Sequence, residues 1–95
     1  MQVEIITPES KVFTGEAEAV QFPGLDGSFQ VLNNHAPVIS GLSEGDVKLN
    51  LNESFANSDS HDLITLDPSD NKTITIKIKG GVMEMMNNKV IVLAE

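Results

Sequence analysis

GLDGSFQVLNNHAPVISGL, residues 24–42, packs a glycine turn, a short alternating strand, a polar corner and a proline-led apolar run into one segment. Asp26-Gly27 signals a turn, because Gly tolerates positive φ and Asp bonds its own backbone. Phe29 and Val31 alternate with Ser28 and Gln30, as on a half-buried strand. Asn33-Asn34 closes that strand. His35-Ala36-Pro37 then opens a segment that cannot start helical before the proline.

On both sides of this segment period two dominates. Val3 and Ile5 alternate with Gln2 and Glu4, and Val47, Leu49 and Leu51 with Lys48 and Asn50. Ile74, Ile76 and Ile78 alternate with Thr73, Thr75, Lys77 and Lys79. Each run turns one face to a core and one to water. Val90-Ile91-Val92-Leu93 is apolar on both faces, which fits a central strand or one covered by a partner. Val82, Glu84 and Met86 share one face of their run, and Met83 and Met85 the other. Methionine suits core filling and also a surface that must fit a partner. Turn signals recur at short intervals, among them Thr14-Gly15, Pro23-Gly24, Ser43-Glu44-Gly45-Asp46 and Asn87-Asn88. Asn87-Asn88 suits a two-residue hairpin turn of positive φ. Gly80-Gly81 suits a tight bend where a side chain would not fit. No segment shows period 3.6 with caps. This pattern predicts an all-β domain, a sandwich of two antiparallel sheets.

The chain is 95 residues long, one domain's worth, and its 40% apolar fraction rises with the 7 Gly to about 47%, ordinary for a globular protein. No stretch approaches the ~20 apolar residues of a membrane-spanning helix. The start lacks a basic-then-apolar leader, so no secretory signal is expected. There is no Cys, and hence no disulfide framework. Net charge is −8 and every basic residue is Lys. That balance disfavours nucleic acid and anionic lipid, and the bidentate phosphate grip of Arg is missing. With four Phe and no Trp or Tyr, a stacking platform for sugars or single strands is not expected. The composition points to a protein partner, with no direct lipid insertion and no small-molecule substrate.

Residues 52–71 read differently. Glu53, Asp59, Asp62, Asp67 and Asp70 lie there without Lys until Lys72, among Ser and Asn. The expectation is an acidic inserted loop or hairpin tip facing solvent, with a short strand at Leu63-Ile64-Thr65-Leu66 ended by Asp67-Pro68. Asp59, His61 and Asp62 offer a weak ligand set without a second His or any Cys, so a polar loop and no metal are expected. His35 lacks a nucleophile partner for base catalysis. Ser28 and Ser40 lack a nucleophile-elbow context. Gly80-Gly81 is followed by no GK[ST]. No catalytic constellation and no cofactor are expected.

Gly24–Leu42 resembles the epsilon subunit of F-type ATP synthases, whose pattern there is close to PG-x-DGxFxVLxNHAPLISxL. Residues 4–9 (EIITPE) with 11–16 (KVFTGE) resemble that family's opening hairpin. Residues 80–84 (GGVME) with 88–95 (NKVIVLAE) resemble its closing one. The resemblance implies a non-catalytic central-stalk subunit at the cytoplasmic face of the bacterial inner membrane, peripheral within the synthase. Such a subunit links gamma to the membrane c-ring and helps couple ion-driven rotation to ATP synthesis. Carried over position by position, it implies gamma contacts at Thr7, Val38, Ile39, Ser40 and Leu42. Sandwich core is the competing reading for Val38, Ile39 and Leu42. It implies c-ring contacts at Asp26, Ser28 and His35. Ser28 departs from a common Glu, Gln30 from Gly, and Asn33 from Pro or Gly. In longer family members two helices follow the last strand. The chain ends at Glu95, so coupling without helix-mediated inhibition is expected. An unrelated peptide-binding β-sandwich is the alternative.

Overall fold

The computed structural model describes residues 1–95 and is built almost wholly of strands. They are β1 (Gln2–Ile6), β2 (Lys11–Gly24), β3 (Gly27–Leu32), β4 (Val38–Leu42), β5 (Gly45–Leu51), β6 (Ile64–Asp67), β7 (Asp70–Ile78), β8 (Gly81–Met86) and β9 (Lys89–Ala94). The one helical element is a short 3₁₀ turn, Asn57–Asp59.

Two layers enclose one core, joined by the 14-residue strand β2. Its first part, through Glu16, pairs with β1. Its second part pairs with β5 from Ala17 to Gln21 and with β3 from Ala19 to Gly24. The ladder slips between Ala17 and Ala19, and such a bulge bends a strand and increases its twist. Gly15 sits beside that bend, where a Cβ would lie 2.7 Å from Cζ of Phe13. One layer is therefore β3-β2-β5-β7-β6 and the other β1-β9-β8-β4.

Pairing is antiparallel with one exception: β1 runs parallel to β9. The sheets are antiparallel, as expected, apart from this one seam. Parallel neighbours need a long connection, and here the connection is the rest of the domain.

Alternation supplies the core. Ile5, Phe22, Leu49, Ile74, Ile76, Met83 and Met85 are fully buried. Phe22 and Phe29 stack with ring centroids 5.3 Å apart. Met83 and Met85 fill the core, whereas Met86 faces out. Asn87 and Asn88 turn the β8–β9 hairpin at φ 53° and 58°, the left-handed pair a type I′ turn needs.

Residues 52–71 are not all solvent-facing. Phe55, Leu63 and Ile64 pack against the core, and the Phe55 N–H donates to Asn71 O at 2.8 Å. The expected strand forms as β6, which adds an edge to β7. These side chains fold back because they are the apolar ones in an otherwise polar stretch, and the core edge beside β7 gives them cover.

Candidate functional site: one apolar sheet face

The two layers present opposite outer faces. Across the first layer the register aligns Gln30, Gln21, Lys48, Thr75 and Thr65. Every member is polar, as on a face left to water. Across the second layer one row reads Gly41, Val82, Leu93 and Ile6. The next reads Ile39, Glu84, Ile91 and Glu4. Paired residues share a face, so these rows form one surface. Ile39 is 69% exposed, Leu93 58% and Val82 47%. Leu25 joins them from the β2–β3 turn. Its N–H donates to Gly41 O at 3.3 Å, and its side chain lies where a Cβ on residue 41 would be, 2.7 Å away. Contiguous exposed apolar surface of this kind marks an interaction site.

The register also sorts the residues proposed from sequence. Val38, Ser40 and Leu42 pair with Met85, Met83 and Gly81, on the inner side of β4. Leu42 is buried, and Val38 packs against the core. Ser40 donates its hydroxyl to Gly41 O at 3.0 Å. Ile39 alone of these four turns its side chain outward. Thr7 follows β1 directly, beside Ile6, and is held in a tight turn. Its N–H donates to Ser10 O at 2.8 Å, and its Oγ1 accepts from the Ser10 N–H at 3.2 Å.

Asp26, Ser28 and His35 are all exposed, but they do not cluster. Asp26 and Ser28 stand at the start of β3 and His35 beyond its end, so about 20 Å of strand separates them. They share only the free edge of β3, whose sole partner is β2. His35 satisfies its own corner. Its N–H donates to Leu32 O at 3.1 Å, and its Nδ1 lies 2.6 Å from Ala36 O, the geometry of a donated proton.

His61 is likewise engaged. Its Nδ1 accepts from the Leu63 N–H at 3.1 Å, and its Nε2 faces Ser10 Oγ at 3.1 Å. Asp59, His61 and Asp62 do not converge: no three metal-ligating side chains come together in the chain. The carboxyls that deviate are Asp67 and Asp70 in the β6–β7 turn, both held below the ordinary 3.8. Asp67 is lowered by the Ser69 N–H and then the Ser69 hydroxyl, at 2.8 and 2.9 Å. Asp70 is lowered by the Lys72 N–H and then the Thr73 hydroxyl, at 2.9 and 2.8 Å. These bonds tie the β6–β7 turn.

Residues 1–58 match the family model described as the ATP synthase delta/epsilon chain β-sandwich domain. The chain belongs to that family. Among its relatives is the ATP synthase epsilon chain of Chlorobium limicola, 35% identical over 94 residues, which are 99% of this chain and 88% of that one. The epsilon chain of Chlorobaculum tepidum is 38% identical over 93 residues, covering 98% of this chain and 86% of its own. The Salinibacter ruber epsilon chain is 35% identical over the whole of this chain, which spans 58% of it. A chain of the Tetrahymena thermophila mitochondrial ATP synthase central stalk and c-ring structure shares the fold. Its TM-score is 0.70 at 15% identity, covering 99% of this chain and 62% of that one. Family membership removes the alternative of an unrelated peptide-binding module.

Leu25, Ile91 and Glu84 escaped the sequence reading as members of one surface. The available signal was the two-faced run 90–93, whose outward half is Ile91 and Leu93.

Proposed function

We propose that this chain is a non-catalytic rotor subunit of an ATP synthase. It binds the gamma subunit through the outer face of β1, β9, β8 and β4, and rests on the membrane c-ring along the edge of β3. The observation that carries the reading is the contrast between the two outer faces: several exposed apolar side chains gather on one layer, whereas a polar row crosses the middle of the other, with Leu32 its one strongly exposed apolar side chain. A face of branched side chains gains by burial at roughly 25 cal/mol per Å². A standard interface needs about 800 Å² per partner.

Ile39 is the exposed anchor of the gamma contact. Thr7 extends it from the end of β1. Val38, Ser40 and Leu42 shape β4 from beneath. On the ring side, Asp26, Ser28 and His35 mark the two ends of one strand edge, so the contact runs along β3. Ion flow turns the ring, and a rigid link between ring and gamma passes the torque on without slippage. Nucleotide chemistry stays with the catalytic subunits. No helix of the chain is long and apolar enough to cross a membrane. The proposed location is peripheral, at the cytoplasmic face of the bacterial inner membrane, through the assembled complex.

Calorimetric titration of the purified chain with the gamma subunit of the same organism tests this directly. A one-to-one complex with a negative heat-capacity change is expected, as for apolar burial. Absence of binding at micromolar concentrations overturns it.

A further inference from the structure

Glu84 stands in the middle of the apolar face. Its cross-strand partners are Ile39 on β4 and Ile91 on β9. Val82 and Met86 flank it on the same side of β8, and both are exposed. The carboxylate has no partner within the chain. The ion pairs present are Met1 with Glu16 and Lys11 with Glu4, and no hydrogen bond reaches the Glu84 carboxylate. The other charged groups on this face leave it alone. Glu4 is two strands away and engaged at 3.6 Å with Lys11. Lys89 pairs across from Met86, diagonal to Glu84, and forms no ion pair with it.

In the free chain water solvates Glu84. A partner that covers Ile39, Val82 and Leu93 removes that water. A carboxylate buried without a counter-charge carries a large penalty, and one paired with a well-placed cation does not. An apolar side chain at this position would have completed the patch, so the charge works against burial unless the partner answers it.

We infer that the partner seated on this face carries an arginine or lysine in the middle of its own apolar surface, and that this cation pairs with Glu84. The inference rests on the reading that gamma occupies the face, and it names what gamma must present there. Arginine fits best, since its planar fork meets a carboxylate bidentately and is more weakly hydrated than an ammonium. The apolar surround fixes where the partner lands only loosely, whereas a single charge pair inside it fixes register and rejects partners without the cation.

The experiment measures gamma affinity for the wild-type chain, Glu84→Gln, Glu84→Leu and Ile39→Asn, each at low and at high salt. Thermal melts confirm that all four fold. Glu84→Gln and Glu84→Leu are each expected to weaken binding at least tenfold, and their affinities to depend less on salt than the wild type's. Ile39→Asn is expected to weaken it as well. If Ile39→Asn weakens binding while both Glu84 variants bind as tightly as wild type or tighter, gamma docks on this face without a cation at Glu84, and the inference is overturned. If Ile39→Asn leaves affinity unchanged, the docking reading itself fails.

Discussion

Ile39 and Glu84 are register partners across β4 and β8, and both face solvent on the same side of the sheet. Their immediate neighbours behind the sheet, Met83 and Met85, are fully buried. One pleat therefore separates the core from an uncovered apolar surface. Short strands that are apolar on both sides are the mark of a sheet that expects cover on both sides.

The β7–β8 bend depends on Gly81. Its φ is 145°, and a Cβ there would lie 2.3 Å from Leu93 O and 2.9 Å from Ala94 Cα. Both obstacles are backbone of the paired strand and cannot swing aside. Gly81→Ala should cost about 3 kcal/mol, from the disfavoured dihedral and the displaced ladder. Urea unfolding reads this as a lower midpoint with an unchanged slope.

The β8–β9 turn distinguishes its two asparagines. Asn87 contributes only its left-handed backbone, φ 53°, whereas Asn88 Oδ1 also accepts the Asn34 N–H at 2.7 Å. Asn87→Ala should destabilise by about 1 kcal/mol, the cost of the left-handed region for an ordinary residue. Asn87→Gly should be close to neutral. A larger loss for Gly than for Ala would contradict the assignment.

Stability should carry an acid-side signature from the β6–β7 turn. Asp67 and Asp70 are held below 3.8 in the folded chain by the donors around them. In the unfolded chain they return to about 3.9. A depressed folded value adds stability that is complete above the unfolded value and is lost as pH falls through the folded one. The stability gap between wild type and Asp70→Asn should therefore narrow below about pH 4. Carboxyl carbon shifts followed by NMR should place both midpoints below 3.8.

The ring contact is testable apart from gamma. Asp26 is exposed in the β2–β3 turn, with no ion pair in the chain. Asp26→Lys should leave gamma affinity within twofold. It should lower ion-driven ATP synthesis several-fold when the variant is assembled into the complete synthase. Unchanged synthesis would remove Asp26 from the ring surface.

Much of this was legible in residue order. Strict alternation at 74–78 and 47–51 named the inward residues correctly, because the pleat allows one answer once one face is apolar. The asparagine and glycine turns were legible because few residues tolerate their dihedrals. What period two cannot tell is which face of a strand lies inward when neither is clearly polar. Val38 to Leu42 is such a run, so Ile39 could be told from Val38 and Leu42 only by its register with Glu84. The parallel seam between β1 and β9 was hidden for a related reason: pairing between the two ends of a chain leaves no local turn to read. Phe55 folded back into the core from a stretch whose composition spoke only of solvent.

The affinity of gamma for Ile39→Asn, set beside Lys48→Asn on the opposite outer face, tells which face gamma covers. Both positions are exposed, so each variant should stay within about 1 kcal/mol of wild type in stability. Ile39→Asn should lose at least tenfold in gamma binding, about 1.4 kcal/mol, and Lys48→Asn should lose nothing. Equal affinities for both variants, or a loss confined to Lys48→Asn, would contradict docking on the Ile39 face.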